Sequence, residues 1–271
     1  MDKTSSVILP FLKWAGGKRW LVDNNCDLIP RDCERYIEPF LGGGSVFFHL
    51  QPNRAILADM NEALIETYAQ IRDDTENLID KLHEHQRKHS KEYYYEVRSK
   101  KYVSPTDRAA QFLYLNRTCW NGLYRVNLKG VFNVPIGTKS TVVLKTDDFH
   151  SVAEALKNSK LLVQDFEKTM AGAREGDFVY VDPPYTVNHK NNGFIKYNEK
   201  IFSWDDQIRL RDCVVDTIDR GAKVIVSNAD HESLRDLYAN VGNMKTLQRS
   251  SVIAGKSSKR GRVDEMLITS W

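Results

Sequence analysis

The feature that most restricts the fold is a strand–helix rhythm that breaks off and later resumes. Tyr36 and Ile37 read as a short strand ending at Glu38. Gly42, Gly43 and Gly44 make a turn, and Ser45 to Leu50 open a helix. A buried strand is expected over 55–58, with Asp59 at its end and Asn61 capping the next helix. Strand, glycine-rich turn, helix, and strand with a terminal acid is the opening of a doubly wound α/β sheet.

The rhythm resumes with strands at 161–164 and 177–181, a helix over 204–220, a strand at 223–227, a helix over 232–239 and a last strand from Glu265. Ser203 is the expected N-cap of the 204–220 helix, and Gly221 stands just past its end. Between the two stretches the pattern is helical and basic. Pro105 opens the best helix there, which runs to Cys119. The segment from Gly122 to Gly137 then alternates around Asn127-Leu128-Lys129-Gly130, as a β-hairpin does. The expected organisation is one α/β domain, residues 1–66 and 159–271, carrying a mostly helical insertion over 67–158.

Charge supports that division. The 271-residue chain has a net charge of +3. Residues 81–146 hold 13 Lys and Arg against 4 Asp and Glu, so this segment is +9 and the remainder −6. A basic middle in an acidic chain suits a lobe that binds nucleic acid. A second basic stretch, Lys245 to Arg262, has no acid and reads as a loop at its AGKSSKRGR end. At 41% hydrophobic residues the composition excludes a disordered chain. No apolar run approaches the ~20 residues of a membrane span, and the N-terminus lacks a signal-peptide core. Cys26, Cys33, Cys119 and Cys213 show no CxxC spacing, so no zinc site is expected, and the reducing cytoplasm is the expected compartment. His83, His85 and His89 read as a solvated helix face rather than a metal cluster.

Two motifs carry chemistry. The glycine turn is neither GxGxxG nor a P-loop. Yet with Asp59 in place to accept from ribose hydroxyls, it points to a cofactor containing adenosine. The sharper motif is Asp182-Pro183-Pro184-Tyr185, directly after the apolar strand at 177–181. Two prolines end the strand and stiffen the turn, leaving a carboxylate where open α/β sheets bind ligands.

FLKWAGGK, EPFLGGGS, ILADMN, NRTCWNGLYRVN, FNVPIG, YVDPPY, VIVSN and VDEML, in this order, closely resemble the Dam-type, alpha-group DNA adenine-N6 methyltransferases. The resemblance spans nearly the whole chain. It implies a Rossmann-like S-adenosylmethionine-dependent methyltransferase sheet, an inserted target-recognition domain, duplex DNA as partner, base flipping and no metal. It assigns the catalytic motif to Asp182, Pro183, Pro184 and Tyr185. It places Trp14, Lys18, Glu38, Phe40, Gly42, Asp59, Asp165, Phe166 and Asp182 around the cofactor. It assigns DNA contacts to Trp120, Asn121, Leu123, Arg125, Asn133, Pro135 and Lys139, with Arg125 on a guanine and Leu123 on a thymine methyl of a GATC site. At Thr138-Lys139 the chain departs from the family pattern, which has a basic residue followed by an aromatic. None of the four cysteines follows a proline, so the nucleophile of cytosine-C5 enzymes is absent. The alternatives are an RNA adenine-N6 methyltransferase, which the insertion and the NGLxRxN element disfavour, and a catalytically silent DNA-binding homologue, which the intact Asp-Pro-Pro-Tyr disfavours.

Overall fold

A computed structural model describes residues 7–122, 124–127, 130–186, 202–250 and 262–271. The chain first alternates: α1 (Arg19–Asn25), β1 (Arg35–Glu38), α2 (Ser45–Leu50), β2 (Ala55–Asp59) and α3 (Glu62–Asp73). Helices α4 (Thr75–Lys88), α5 (Lys91–Ser99), α6 (Pro105–Thr118) and α7 (Phe149–Leu156) follow. Alternation returns with β3 (Ser159–Val163), α8 (Phe166–Met170), β4 (Asp177–Val181), α9 (Trp204–Asp219), β5 (Lys223–Ala229), α10 (Glu232–Leu237), β6 (Asn243–Ser250) and β7 (Arg262–Thr269).

The strand order is β3-β2-β1-β4-β5-β7-β6. Strand β1 pairs in parallel with β2 and with β4, and β4 pairs in parallel with β5. Strand β7 lies antiparallel between β5 and β6. This is the Rossmann-like α/β sheet expected from the sequence. The chain leaves β1 to build the sheet on one side and returns at β4 on the other. Ligands bind at such a switch point, beyond the C-terminal ends of the strands. Glu38 ends β1 there, and Asp182 directly follows β4.

The residues divide into two compact units, Met1–Cys26, Gly42–Pro52 and Asp59–Val163 in one, and Asp27–Leu41, Asn53–Ala58 and Gln164–Trp271 in the other. The first unit is built on α6, which is buried on nearly every side; Ala109, Ala110, Leu113 and Tyr114 are all fully covered. A helix buried all round belongs inside a bundle, and polar side chains that it buries, Asn116 and Arg117 among them, are hydrogen-bonded. Helix α3 lays down one face of Leu64, Ile65, Tyr68 and Ile71, and Asn61 caps it by accepting from Leu64 N at 3.1 Å. Arg117, 7% exposed, spans this unit. It donates two hydrogen bonds to Asp147 and reaches the carbonyls of Phe11 and Val142.

In the second unit β4 is buried along its whole length, as a central parallel strand must be. Val179, Val181, Leu210, Val214, Val224, Val226, Met266 and Ile268 form one core. Helix α9 starts in a capping box between Ser203 and Asp206 and stops before Gly221, whose φ of +87° favours glycine. Arg35 and Asp177 face each other across β1 and β4 and are paired at 3.1 Å.

Three elements have no counterpart in the sequence reading. Helices α7 and α8 are short and buried mainly through Phe149 and Phe166. Strand β6 carries little apolar signal, with Leu247 alone buried among its described side chains, and pairs along its length with β7. Among the described residues no helix is long and apolar enough to cross a membrane.

Candidate active site and nucleic-acid interface

In the first unit the glycine turn is shaped around Trp14. Gly42 has φ +48°, and a Cβ there would stand 2.8 Å from Trp14 Cδ1. Any other residue at Gly42 meets both a backbone cost and a clash with the indole. Asp59 holds the same turn, accepting from Gly42 N at 3.1 Å and from Asn61 N at 2.9 Å. Burial raises its pKa, and backbone N–H groups of Asn61, Gly42 and Met60 oppose that rise. A carboxylate has about four lone-pair sites, so this anchoring leaves acceptor capacity for a ligand hydroxyl. Lys18 is buried, and its ammonium donates to Gly16 O at 2.8 Å.

Trp14 also stacks with Tyr124 at 6.3 Å and with Phe112 at 6.2 Å between ring centroids. Beside it, Asn116 Nδ2 donates to Lys13 O at 2.9 Å, and Lys13 N donates to Asn116 Oδ1 at 3.2 Å. Neither Asn116 nor Tyr124 stood out in the sequence.

In the second unit Asp182 and Tyr185 are half-buried, and Pro183 is buried. The Tyr185 hydroxyl donates to Glu265 Oε2 at 2.8 Å. Burial and the nearby Asp182 and Glu265 carboxylates push the Tyr185 pKa well above the usual tyrosine range, so the hydroxyl stays protonated. Glu38 is buried and accepts from the Tyr36 hydroxyl at 2.9 Å. Phe40, Phe166 and Phe202 form an aromatic trio with centroids 5.5 to 5.8 Å apart. Asp165 caps α8 through Glu167 N at 2.9 Å and pairs with Arg209 at 2.9 Å.

The expected recognition residues lie on the stretch after α6. Trp120 is 54% exposed, and Asn121, Arg125, Asn133, Pro135 and Lys139 are exposed too. Leu123, Leu128, Lys129 and most of the AGKSSKRGR loop lie outside the described residues. The base of the stretch is closed by an antiparallel bridge between Cys119 and Ile136, and by Trp120 N donating to Pro135 O at 2.9 Å. Gly137 permits this closure, since a Cβ there would lie 2.5 Å from Cys119 O. The Tyr94 hydroxyl and the Arg98 guanidinium both donate to Val134 O, at 2.9 and 3.2 Å.

The hairpin expected here is present, among the described residues, as isolated bridges at Cys119–Ile136 and Val126–Phe132. Pro135 lacks a backbone donor, and the Tyr94 and Arg98 side chains donate to the neighbouring Val134 carbonyl. The basic residues also divide. Arg108 pairs with Glu66, and Arg117 with Asp147, so these two charges are structural. Among the histidines, His85 stacks on Tyr114 at 4.8 Å, and His89 Nδ1 lies 2.8 Å from the Tyr114 hydroxyl.

A glycine turn after β1 and Asp-Pro-Pro-Tyr after β4, on this sheet, define an amino-methyltransferase of the Rossmann-like class. Residues 14–252 match the family model of the D12 class N6 adenine-specific DNA methyltransferases, and the chain belongs to that family. It is 39% identical to the type II methyltransferase M1.LlaDCHI of Lactococcus lactis subsp. cremoris, over 100% of this chain and 98% of that protein. It is 34% identical to the type II methyltransferase M.MjaIII of Methanocaldococcus jannaschii, over 97% of this chain and 99% of that one. It is 33% identical to the DNA adenine methylase of Escherichia coli strain K12, covering 95% and 93% of the two chains. The protein is therefore an adenine-specific DNA methyltransferase, and its family uses S-adenosylmethionine as methyl donor.

Proposed function

We propose that the protein methylates N6 of an adenine flipped out of duplex DNA, within a GATC site, and that it acts in the cytoplasm. The observation that carries this reading is the half-buried Asp182 beyond the C-terminal end of β4, beside the Tyr185 ring. The adenine amino group is a weak nucleophile because its lone pair is delocalised. Asp182 and the Pro183 carbonyl accept its two N–H bonds and aim the lone pair. Pro184 keeps that turn rigid. Tyr185 offers its ring to the extruded base. S-adenosylmethionine supplies an electrophilic methyl on a positive sulfur.

The residues present fit that donor. The Trp14 indole packs where a Cβ at Gly42 would stand, which brings an aromatic ring close against the turn, and Asp59 keeps acceptor capacity beside it. Trp14, Lys18, Gly42 and Asp59, together with Glu38, Phe40, Asp165, Phe166 and Asp182, are the proposed donor contacts. Residues 67–158 form the proposed target-recognition domain, and Trp120, Asn121, Leu123, Arg125, Asn133, Pro135 and Lys139 its DNA contacts. Arg125 is exposed, as a bidentate reader of guanine O6 and N7 must be, and the reading gives Leu123 the thymine methyl.

The test is to map N6-methyladenine in a methylation-deficient host expressing wild type, Asp182→Ala or Arg125→Ala. Wild type is expected to mark GATC, and Asp182→Ala to lose at least about a hundredfold in rate while still binding DNA. Arg125→Ala should lose roughly 1–3 kcal/mol of discrimination at one base pair. Residual Asp182→Ala activity within about tenfold of wild type, or marks outside GAT, contradicts these assignments.

A further inference from the structure

Tyr185 is held at its far end. Its hydroxyl donates to Glu265 Oε2 at 2.8 Å and is hydrogen-bonded by Ser227 as well. The other Glu265 oxygen, Oε1, is engaged by Arg249 Nε. The Glu265 side chain is 2% exposed and that of Arg249 17%. These groups come from three adjacent strands. Ser227 is on β5, Glu265 on β7, and Arg249 on β6, diagonally across from Glu265 in the β6–β7 register.

A buried carboxylate is costly unless paired and hydrogen-bonded, and this one is both. The Tyr185 hydroxyl oxygen lies on the long axis of the ring, so a bond there fixes the direction in which that axis points. The ring stays half-exposed while its tip is fixed inside the sheet.

We propose that Glu265, braced by Arg249, is a positioning residue that sets the Tyr185 ring for the target adenine. It does not touch the reacting atoms. It acts through Tyr185, and so rests on the reading that Tyr185 receives the flipped base. A ring that tilts by a fraction of an ångström presents a worse platform, and catalysis depends steeply on such placement.

The experiment is a double-mutant cycle on the full chain with Glu265→Gln, Tyr185→Phe and both together. The readouts are kcat and KM on duplex DNA, donor affinity by calorimetry, and the fluorescence of 2-aminopurine at the target position. Each single variant is expected to lose at least about fivefold in kcat, with a reduced 2-aminopurine signal and donor affinity within about twofold of wild type. The double variant should be no worse than the poorer single one.

If Glu265→Gln costs as much in the Tyr185→Phe background as in wild type, Glu265 does not act through Tyr185 and the proposal falls. Should Glu265→Gln unfold, Tyr185→Phe decides alone, because it leaves the Glu265–Arg249 pair intact. Wild-type kcat and 2-aminopurine signal in that variant would overturn the proposal. If wild type itself methylates DNA without any 2-aminopurine response, the base-flipping reading has failed and the positioning claim falls with it.

Discussion

The Asn116 side chain hydrogen-bonds both backbone polar groups of Lys13, accepting from its N–H at 3.2 Å and donating to its carbonyl at 2.9 Å. Residue 116 is fully buried on α6, and Lys13 precedes the tryptophan that lies against the glycine turn. One amide thus ties the segment before Trp14 to the central helix of its unit.

Asn116→Ala is expected to lower stability by about 1–2 kcal/mol, since it removes two hydrogen bonds made by a fully buried side chain. Urea unfolding should show a lower midpoint with an unchanged slope. A midpoint equal to wild type would mean that Lys13 is held by other contacts.

Gly42→Ala should weaken donor binding. The added methyl meets Trp14 at 2.8 Å, and the φ of +48° disfavours a side chain. Overpacking of about 1–3 kcal/mol corresponds to roughly five- to 150-fold in affinity. Calorimetry with S-adenosylmethionine gives the answer, and unchanged affinity would separate the glycine turn from the donor site.

Acid should destabilise the first unit through His85. Burial lowers its pKa from 6.5 to about 4, with Glu84 and Asp107 raising it and Lys81 and Lys88 lowering it. In the folded chain the ring is neutral, stacked on Tyr114, with Nδ1 2.9 Å from the Tyr93 hydroxyl. The unfolded chain takes up a proton below pH 6.5 that the folded chain takes up only near 4. Stability is therefore intact above 6.5 and falls as pH drops from 6.5 to 4. At about 1.4 kcal/mol per pKa unit the full loss is about 3 kcal/mol. His85→Phe should flatten that part of a stability-versus-pH curve, and an unchanged slope would remove His85 as its source.

DNA affinity should fall steeply with salt, with Lys100 and Lys101 contributing. Both are exposed, whereas Arg108 is committed to Glu66. Reversing both lysines to Glu should weaken binding to all sequences alike and reduce the log–log salt slope by roughly two. A slope identical to wild type would exclude these side chains from phosphate contact.

Local chemistry made much of this protein legible in the chain alone. Period-two and period-3.6 patterns, the Asn61 and Ser203 caps and the stop at Gly221 specify β1, β2, β4, β5, α3 and α9 within a residue or two. These signals are written in neighbouring residues, so no tertiary contact is needed to read them. The Asp-Pro-Pro-Tyr turn announced itself in the same way. What only the tertiary structure decided depends on partners far apart in sequence. Strand β6 exists because β7 offers it a ladder, although its own residues are mostly polar. In the recognition stretch the Val134 carbonyl is met by Tyr94 and Arg98, which come from α5, far off in sequence. Asp59 reads as a ribose acceptor in sequence, and the fold adds a second duty, anchoring the Gly42 turn. Glu265 is one acid in a β pattern until the sheet brings Arg249, Ser227 and Tyr185 around it. Hydrogen bonds and buried charges are satisfied in three dimensions, and a chain read along one dimension does not contain the distances that satisfy them.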